Sequence, residues 1–324
     1  MPKVGQIIKG PVTQGQVGSK PSTPTPSSGG PEMKGFMELT ERQFASNDFD
    51  SEHPVHLYLV KKHKLTYEQG VWLSFLYMAF YDEASAWSVF KASDPFTTPK
   101  NTSYPIGRNR RNLFGPRIIT HFDSLRQNRK KAKDWPTHNF TGEPKQDWTI
   151  LNNNLGDIWG NGRFGKYTTA EMLQKVNGIP VEITGFDNKG SSGPADGVQR
   201  LYKCGFDLAS LDLHAELAYQ QVLQSGLKPA YTSVDRGVVE SVLCNYSGIC
   251  RGLFYSGRNV DRQQGRILKV EQQTGKTLHP LWEARHAVMR KQDLGEFNGW
   301  VGIDKSRLKS FVQLGRVLWT YEER

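Results

Sequence analysis

Residues 66–90 constrain the fold most. Thr66-Tyr67-Glu68-Gln69 fits a capping box, in which the Thr hydroxyl and the Gln amide face each other across the first helical turn. Val71, Trp72, Phe75, Leu76, Ala79 and Phe80 then recur at helical spacing. Asp82 and Glu83 interrupt this apolar run before Ala86, Trp87, Val89 and Phe90 resume it. The two carboxylates read either as a functional pair or as a helix break at the surface. His53-Pro54-Val55-His56-Leu57-Tyr58 reads as a shorter helix packed against the long one. A stretch this apolar needs a core around it, and 324 residues suffice for one large or two modest domains.

The remaining periodicity is also helical. Thr168-Thr169-Ala170-Glu171 allows a second capping box and opens a helix through Val176. Further helices are expected over residues 208–227, 234–244, 265–273 and around 281–285, with 308–321 closing the chain. Asp261 stands before the 265–273 helix, where an acidic residue complements the dipole. Residues 134–146 read as a connecting loop and residues 245–257 as a glycine-rich turn. Neither an internal repeat nor a strand–helix rhythm is present, so the chain is expected to be mainly α. Residues 1–33, rich in Gly, Pro, Ser, Thr and Gln, read as a flexible tail. Residues 34–324 read as a single helical domain.

The formal net charge is +10, which favours an anionic partner, nucleic acid first. Residues 100–134 hold ten Lys and Arg against two Asp, so the excess is local. Arg108, Arg110, Arg111, Arg117, Arg129, Lys130 and Lys131 are its candidate DNA contacts, with Tyr104, Phe114, His121 and Phe122 interleaved. Such a mixture suits phosphate contacts and base stacking, while a solvated helix face is the plainer reading. Cys204, Cys244 and Cys250 lack partners at zinc spacing and read as buried thiols. The expectation is a soluble protein of a reducing cytoplasm with no membrane partner.

The stretch Phe186-Asp187-Asn188-Lys189-Gly190-Ser191-Ser192-Gly193-Pro194 turns between two helical segments. Pro194 suits a first helical turn, which places Ser192 or Gly193 at or beside the N-cap. Backbone N–H groups at a helix start, with hydroxyls and Lys189 beside them, suit an anion and a phosphate most of all. An ordinary capped loop has the same composition. Arg163, in Gly162-Arg163-Phe164, lies ahead of the next expected cap, where its fork matches a phosphate or carboxylate. Glu240 lies among apolar neighbours, so it is either paired or part of a site.

These blocks together resemble a family. Glu68-Gln69 with Trp72, Leu76-Tyr77, Ala86-Trp87 and Phe90 is similar to the long helix of the phage alpha-glutamyl/putrescinyl thymine pyrophosphorylases, the amino acid:DNA transferases. Gly162-Arg163-Phe164, Ser191-Ser192-Gly193-Pro194 with Gly197, Glu240 through Tyr246, and Asp261-Arg262 resemble its later motifs. The resemblance spans about residues 50–290, and it is the order of the blocks that makes it specific. The chain departs from it in the acidic turn Asp82-Glu83.

The resemblance implies a helical, DNA-glycosylase-like fold acting in the cytoplasm of a phage-infected bacterium. The implied substrate is double-stranded phage DNA carrying 5-hydroxymethyluracil activated as its pyrophosphate ester. Glycine, another free amino acid or a polyamine is joined to the exocyclic methylene, and pyrophosphate leaves. Arg163, Glu240 and Asp187 are then the catalytic candidates, with Lys189, Ser191, Ser192, Gly193, Asp261 and Arg262 as substrate contacts. Arg163 and the N–H cluster oppose the charge of the leaving group, and Glu240 or Asp187 takes the amine's proton. A structural Arg163–Glu240 salt bridge is the alternative reading of that pair. The sequence shows no clear metal cluster, although Mg2+ accompanying the pyrophosphate needs few protein ligands. A helical DNA glycosylase and a noncatalytic phage DNA-binding protein are the two rival readings.

Overall fold

The computed structural model describes residues 30–189, 191–251, 253–254 and 257–289, and helices account for all its regular structure among them. In order these are α1 (Pro31–Ser46), α2 (Glu52–Lys62), α3 (Tyr67–Phe80), α4 (Glu83–Phe90), a 3-10 turn (Arg108–Leu113), α5 (Arg117–Lys131), α6 (Pro144–Gly156), α7 (Arg163–Asn177), α8 (Ser192–Tyr202), α9 (Leu208–Gln224), α10 (Arg236–Cys250), α11 (Arg258–Thr274) and α12 (His279–Val288). The chain is mainly α, as its periodicity implies.

The capping box at Thr66 forms, with Gln69 N donating to Thr66 Oγ1 and Thr66 N to Gln69 Oε1. Every residue of α3 from Gly70 to Phe80 is buried, which makes it the central helix of an apolar cluster. Trp72, Phe75 and Phe80 of α3 pack there with Trp87 of α4, Met172 and Leu173 of α7 and Trp282 of α12. A second cluster gathers Phe36, Leu39 and Phe44 of α1 with Val198 of α8, Leu211 of α9 and Val242 of α10. Residues 49–55 cross from one to the other, Phe49 lying in the second cluster and Val55 in the first. The functional groups described below collect at that junction.

Several boundaries differ from expectation, each for a local reason. Pro31 to Met33 join α1 rather than a tail, because Met33 packs on the second cluster and Glu32 pairs with Lys203 at 2.8 Å. Residues 1–29 and the helix expected at 308–321 lie outside the described residues. Helix α7 starts at Arg163, so Thr168 is interior and its hydroxyl donates back to the Phe164 carbonyl instead of capping. Helix α10 runs through the expected glycine-rich turn to Cys250, where Gly248 faces Phe254. Asp261 lies inside α11, whose N-cap is Gly257. Pro144 begins α6 within the expected loop at 134–146. Cys204 is half-buried, while Cys244 and Cys250 are exposed rather than buried.

Asp82 and Glu83 are structural. The Asp82 carboxylate accepts from Ser85 N at 2.9 Å and caps α4. Glu83 is fully buried against Arg266, whose Nη1 lies 2.7 Å from Glu83 Oε2 and 3.1 Å from Glu52 Oε1.

Candidate active site

Helices α7 and α10 build the site between them. Gly237, in the first turn of α10, sets their approach, because a Cβ there would lie 2.5 Å from Glu171 Oε1. The N-terminus of α10 thus rests on the Glu171 carboxylate, a favourable place for an anion. Lys175, one turn along α7, donates to Glu171 Oε1 and lies 3.6 Å from Asp235 Oδ1. Asp235 itself caps α10, accepting from Val238 N at 2.8 Å. The neighbouring carboxylates outweigh burial and raise the Lys175 ammonium pKa, so Lys175 is a fixed cation.

Glu240 follows one turn after Gly237, half-buried and facing the same centre. Burial, then the charges of Glu171, Asp50 and Asp187, push its carboxyl well above the usual carboxylate range, while Lys175 pulls it down. A carboxylate so placed holds a proton firmly once it has taken one. Tyr167 is buried among the same charges, and its hydroxyl donates to the Gly185 carbonyl at 3.3 Å.

The segment ahead of α2 closes the centre. Donor atoms of Asp50, His53 and Glu171 lie within 4.8 Å of one another. Asp50 Oδ2 is inaccessible to solvent and accepts no hydrogen bond. His53 Nδ1 makes one long contact, 3.4 Å to the Tyr231 hydroxyl.

Arg163 heads α7 on the other side of Tyr167. Its Nη1 donates to Asp187 Oδ1 at 2.8 Å and to the Asp187 carbonyl at 2.9 Å. The partner of Arg163 is therefore Asp187, and the Arg163–Glu240 bridge is not formed. Asp187 takes a left-handed conformation, φ 53°, which a non-glycine residue adopts at a cost and which Arg163 holds. Burial pushes the Asp187 carboxyl up, and Arg163 and Lys166 pull it back. Its engagement with Arg163 leaves Glu240 the freer of the two expected bases.

The loop then enters α8 through Ser191, the N-cap residue, whose N–H donates to the Asp187 carbonyl at 3.2 Å. The Ser191 side chain makes no capping bond, while Ser192 and Lys189 are exposed. Gly193 has a packing reason, since a Cβ there would lie 2.5 Å from Cys244 Sγ. Residues 184–189 border a cavity of about 290 Å3 completed by Asp212, Glu216 and Arg236. Arg262 of α11 is half-buried, and its charge reaches Glu52 and Tyr81. The Asp261 side chain lies outside the described part of the structure.

The basic segment divides. Arg108, Arg111, Arg117, Lys130 and Lys131 are exposed. Arg110, expected to contact DNA, is instead buried, donating to Asn161 Oδ1 at 2.8 Å and to the Gly160 carbonyl at 3.3 Å. Arg129 is partly committed to Glu68 at 3.2 Å and lies over the Phe96 ring.

Sequence reasoning missed Asp50, His53, Glu171, Lys175 and Asp235. One signal was available: Glu171 and Lys175 are an i, i+4 pair on the apolar face of α7, where unpaired charges are costly.

No curated protein matches the chain. The family model described as amino acid:DNA transferase matches residues 118–251, which run from α5 through α10 and include Arg163, Glu171, Asp187 and Glu240. Over those residues, and through the site they frame, the chain is similar to the amino acid:DNA transferases, the family that its motifs resemble.

Proposed function

We propose that this protein joins an amino acid or amine to the exocyclic methylene of a pyrophosphate-activated 5-hydroxymethyluracil in phage DNA. The family match supports transfer of an amino acid to DNA. The observation carrying the finer reading is the pairing of two unlike halves across Tyr167. One half has a partly exposed guanidinium, Arg163, with Lys166 and the start of α8 beside it; the other has the half-buried carboxylate of Glu240.

In this reading the amine nitrogen attacks the methylene carbon while the C–O bond to pyrophosphate breaks. Charge collects on the leaving oxygen, and Arg163, held in place by Asp187, opposes it with Lys166, Lys189 and the α8 N-terminus. The attacking nitrogen sheds a proton to Glu240, which burial and then its carboxylate neighbours make a strong acceptor. The base leaves the duplex stack to reach the site, and the exposed cations of Arg108, Arg111, Arg117, Lys130 and Lys131 hold the backbone.

The test incubates the protein with DNA carrying the pyrophosphate ester and a panel of amines, followed by nucleoside mass spectrometry. Pyrophosphate release with a new amino-substituted base supports the proposal. An abasic site would instead identify a glycosylase, and retardation on a gel without chemistry a DNA-binding protein. Glu240→Gln should lower transfer by about two to four powers of ten with DNA binding kept, and raising the pH should partly restore it by deprotonating the free amine. Transfer at the parent rate across pH would remove Glu240 from this role.

A further inference from the structure

We propose that Asp50, His53 and Glu171 form a binding site for one divalent transition-metal ion, of the Mn2+, Co2+ or Zn2+ class, at the junction of the two apolar clusters.

Asp50 and His53 share the turn that opens α2, where His53 N donates to the Asp50 carbonyl at 3.1 Å, and Glu171 comes from α7. The donor atoms of the three fall within 4.8 Å of one another. Ligands about 2.1 Å from an ion lie at most about 4.2 Å apart, so side-chain shifts under about 1 Å close the set. His53 and Glu171 are buried, 7% and 3% exposed.

The centre is built for a ligand that the chain does not supply. Asp50 Oδ2 is sealed from solvent without a hydrogen bond of its own, while the Ser241 hydroxyl and the charge of Lys175 support the same carboxyl, so one buried oxygen is left for a further ligand. His53 has only its long Nδ1 contact to Tyr231, and its other ring nitrogen makes no hydrogen bond among the described residues. Glu171 is held in position by Lys175 and the α10 N-terminus, in the way outer partners fix a metal ligand. Charge also leaves room for a cation. Glu171 and Asp235 pair with Lys175, Asp50 and Glu240 feel the same ammonium, and the nearby Glu52 is committed to Arg266.

Imidazole with two carboxylates selects the ion class. An all-oxygen set would suit Mg2+, whereas a nitrogen ligand shifts preference toward the later divalent ions. Three protein ligands leave positions open to water or to a substrate oxygen.

The site does not depend on the transferase reading, because binding is measured on the full chain without DNA. Titration with MnCl2, followed by electron paramagnetic resonance, should show one ion bound per chain and nitrogen coupling from an imidazole. A hundredfold excess over Kd should raise Tm by about 5 °C. Asp50→Asn and His53→Gln should each lower Mn2+ affinity at least about tenfold and reduce the Tm rise, and His53→Gln should also remove the nitrogen coupling. Glu283→Gln, at an exposed pair with Lys62, should bind as the parent does. Absence of stoichiometric binding to the parent chain would overturn the proposal, with Lys175 then the only cation the centre takes. Binding that survives both Asp50→Asn and His53→Gln unchanged would overturn it equally. Should both variants fail to fold, the parent spectrum decides alone: bound Mn2+ without imidazole coupling refutes the site.

Discussion

Residue identity alone does not say what an arginine in a basic run does. Arg110 and Arg111 are neighbours in the 3-10 turn, yet Arg110 is 2% exposed and Arg111 projects outward. Arg110 spends its donors on Asn161 and the Gly160 carbonyl, tying the 3-10 turn to the loop before α7. Gly165 lies under the same guanidinium, where a Cβ would meet Arg110 Nη1 at 2.5 Å. The two arginines should therefore fail differently. Arg110→Ala should cost about 2–4 kcal/mol in denaturant unfolding, by removing buried bonds and leaving a void. Arg111→Ala with Arg117→Ala should leave unfolding within about 0.5 kcal/mol per site. The double variant should weaken DNA binding for any sequence and reduce the salt slope by about two. A salt slope equal to that of the parent would remove the exposed arginines from the DNA face.

At the scale of elements, legibility followed how local the cause was. The start of α3 was readable because a capping box is complete within four residues, and its burial was readable from Val71, Trp72, Phe75 and Leu76. The start of α7 was not, because what places Arg163 at its head is Asp187, 24 residues later. Glu171 was legible only through its i, i+4 pairing with Lys175, since its other neighbours come from the start of α2 and from α10. The glycines of the Ser/Gly turn were legible as special but for an incomplete reason. Gly193 and Gly197 lie one turn apart on α8 and let its backbone press onto α10. At Gly197 a Cβ would lie 2.2 Å from the Leu243 carbonyl oxygen, a backbone atom that no rotamer change moves. Gly197→Ala should therefore destabilise by about 1–3 kcal/mol despite the better helix propensity of alanine. That is a Tm fall of about 2–10 °C, and an unchanged or raised Tm would show that α8 can slide on α10.

For the whole molecule, the residues matched by the family model are only part of those gathered around the candidate site and its supports. Residues 118–251 supply α7, α8 and α10, while Asp50 and His53 come from before them and Arg262 and Arg266 from after. Arg266 links these outer parts, reaching Glu52 on α2 and Glu83 on α4 from α11. Its charge also opposes the buried Asp82 carboxylate, 3.9 Å away. Burial, with Asp82 and Glu52 nearby, pushes the Glu83 carboxyl up to about 7 even with Arg266 pulling it down. A folded-state pKa above the unfolded one means that Glu83 favours the folded chain in acid and loses that contribution as pH rises through about 7. Removing Arg266 raises the folded-state value further and leaves several buried carboxylates without their cation. Arg266→Ala should thus cost about 3–5 kcal/mol at pH 8 and distinctly less at pH 5, where the orphaned carboxyls take up protons. Because Glu52 adjoins the segment carrying Asp50 and His53, the variant should also lose Mn2+ affinity at pH 8 in step with the ordering of α2. Urea unfolding of the parent and Arg266→Ala at both pH values measures the first effect. A deficit that is the same at pH 5 and pH 8 would mean that Arg266 acts by packing on Tyr81, over whose ring its guanidinium carbon lies at 5.9 Å, rather than by neutralising buried charge.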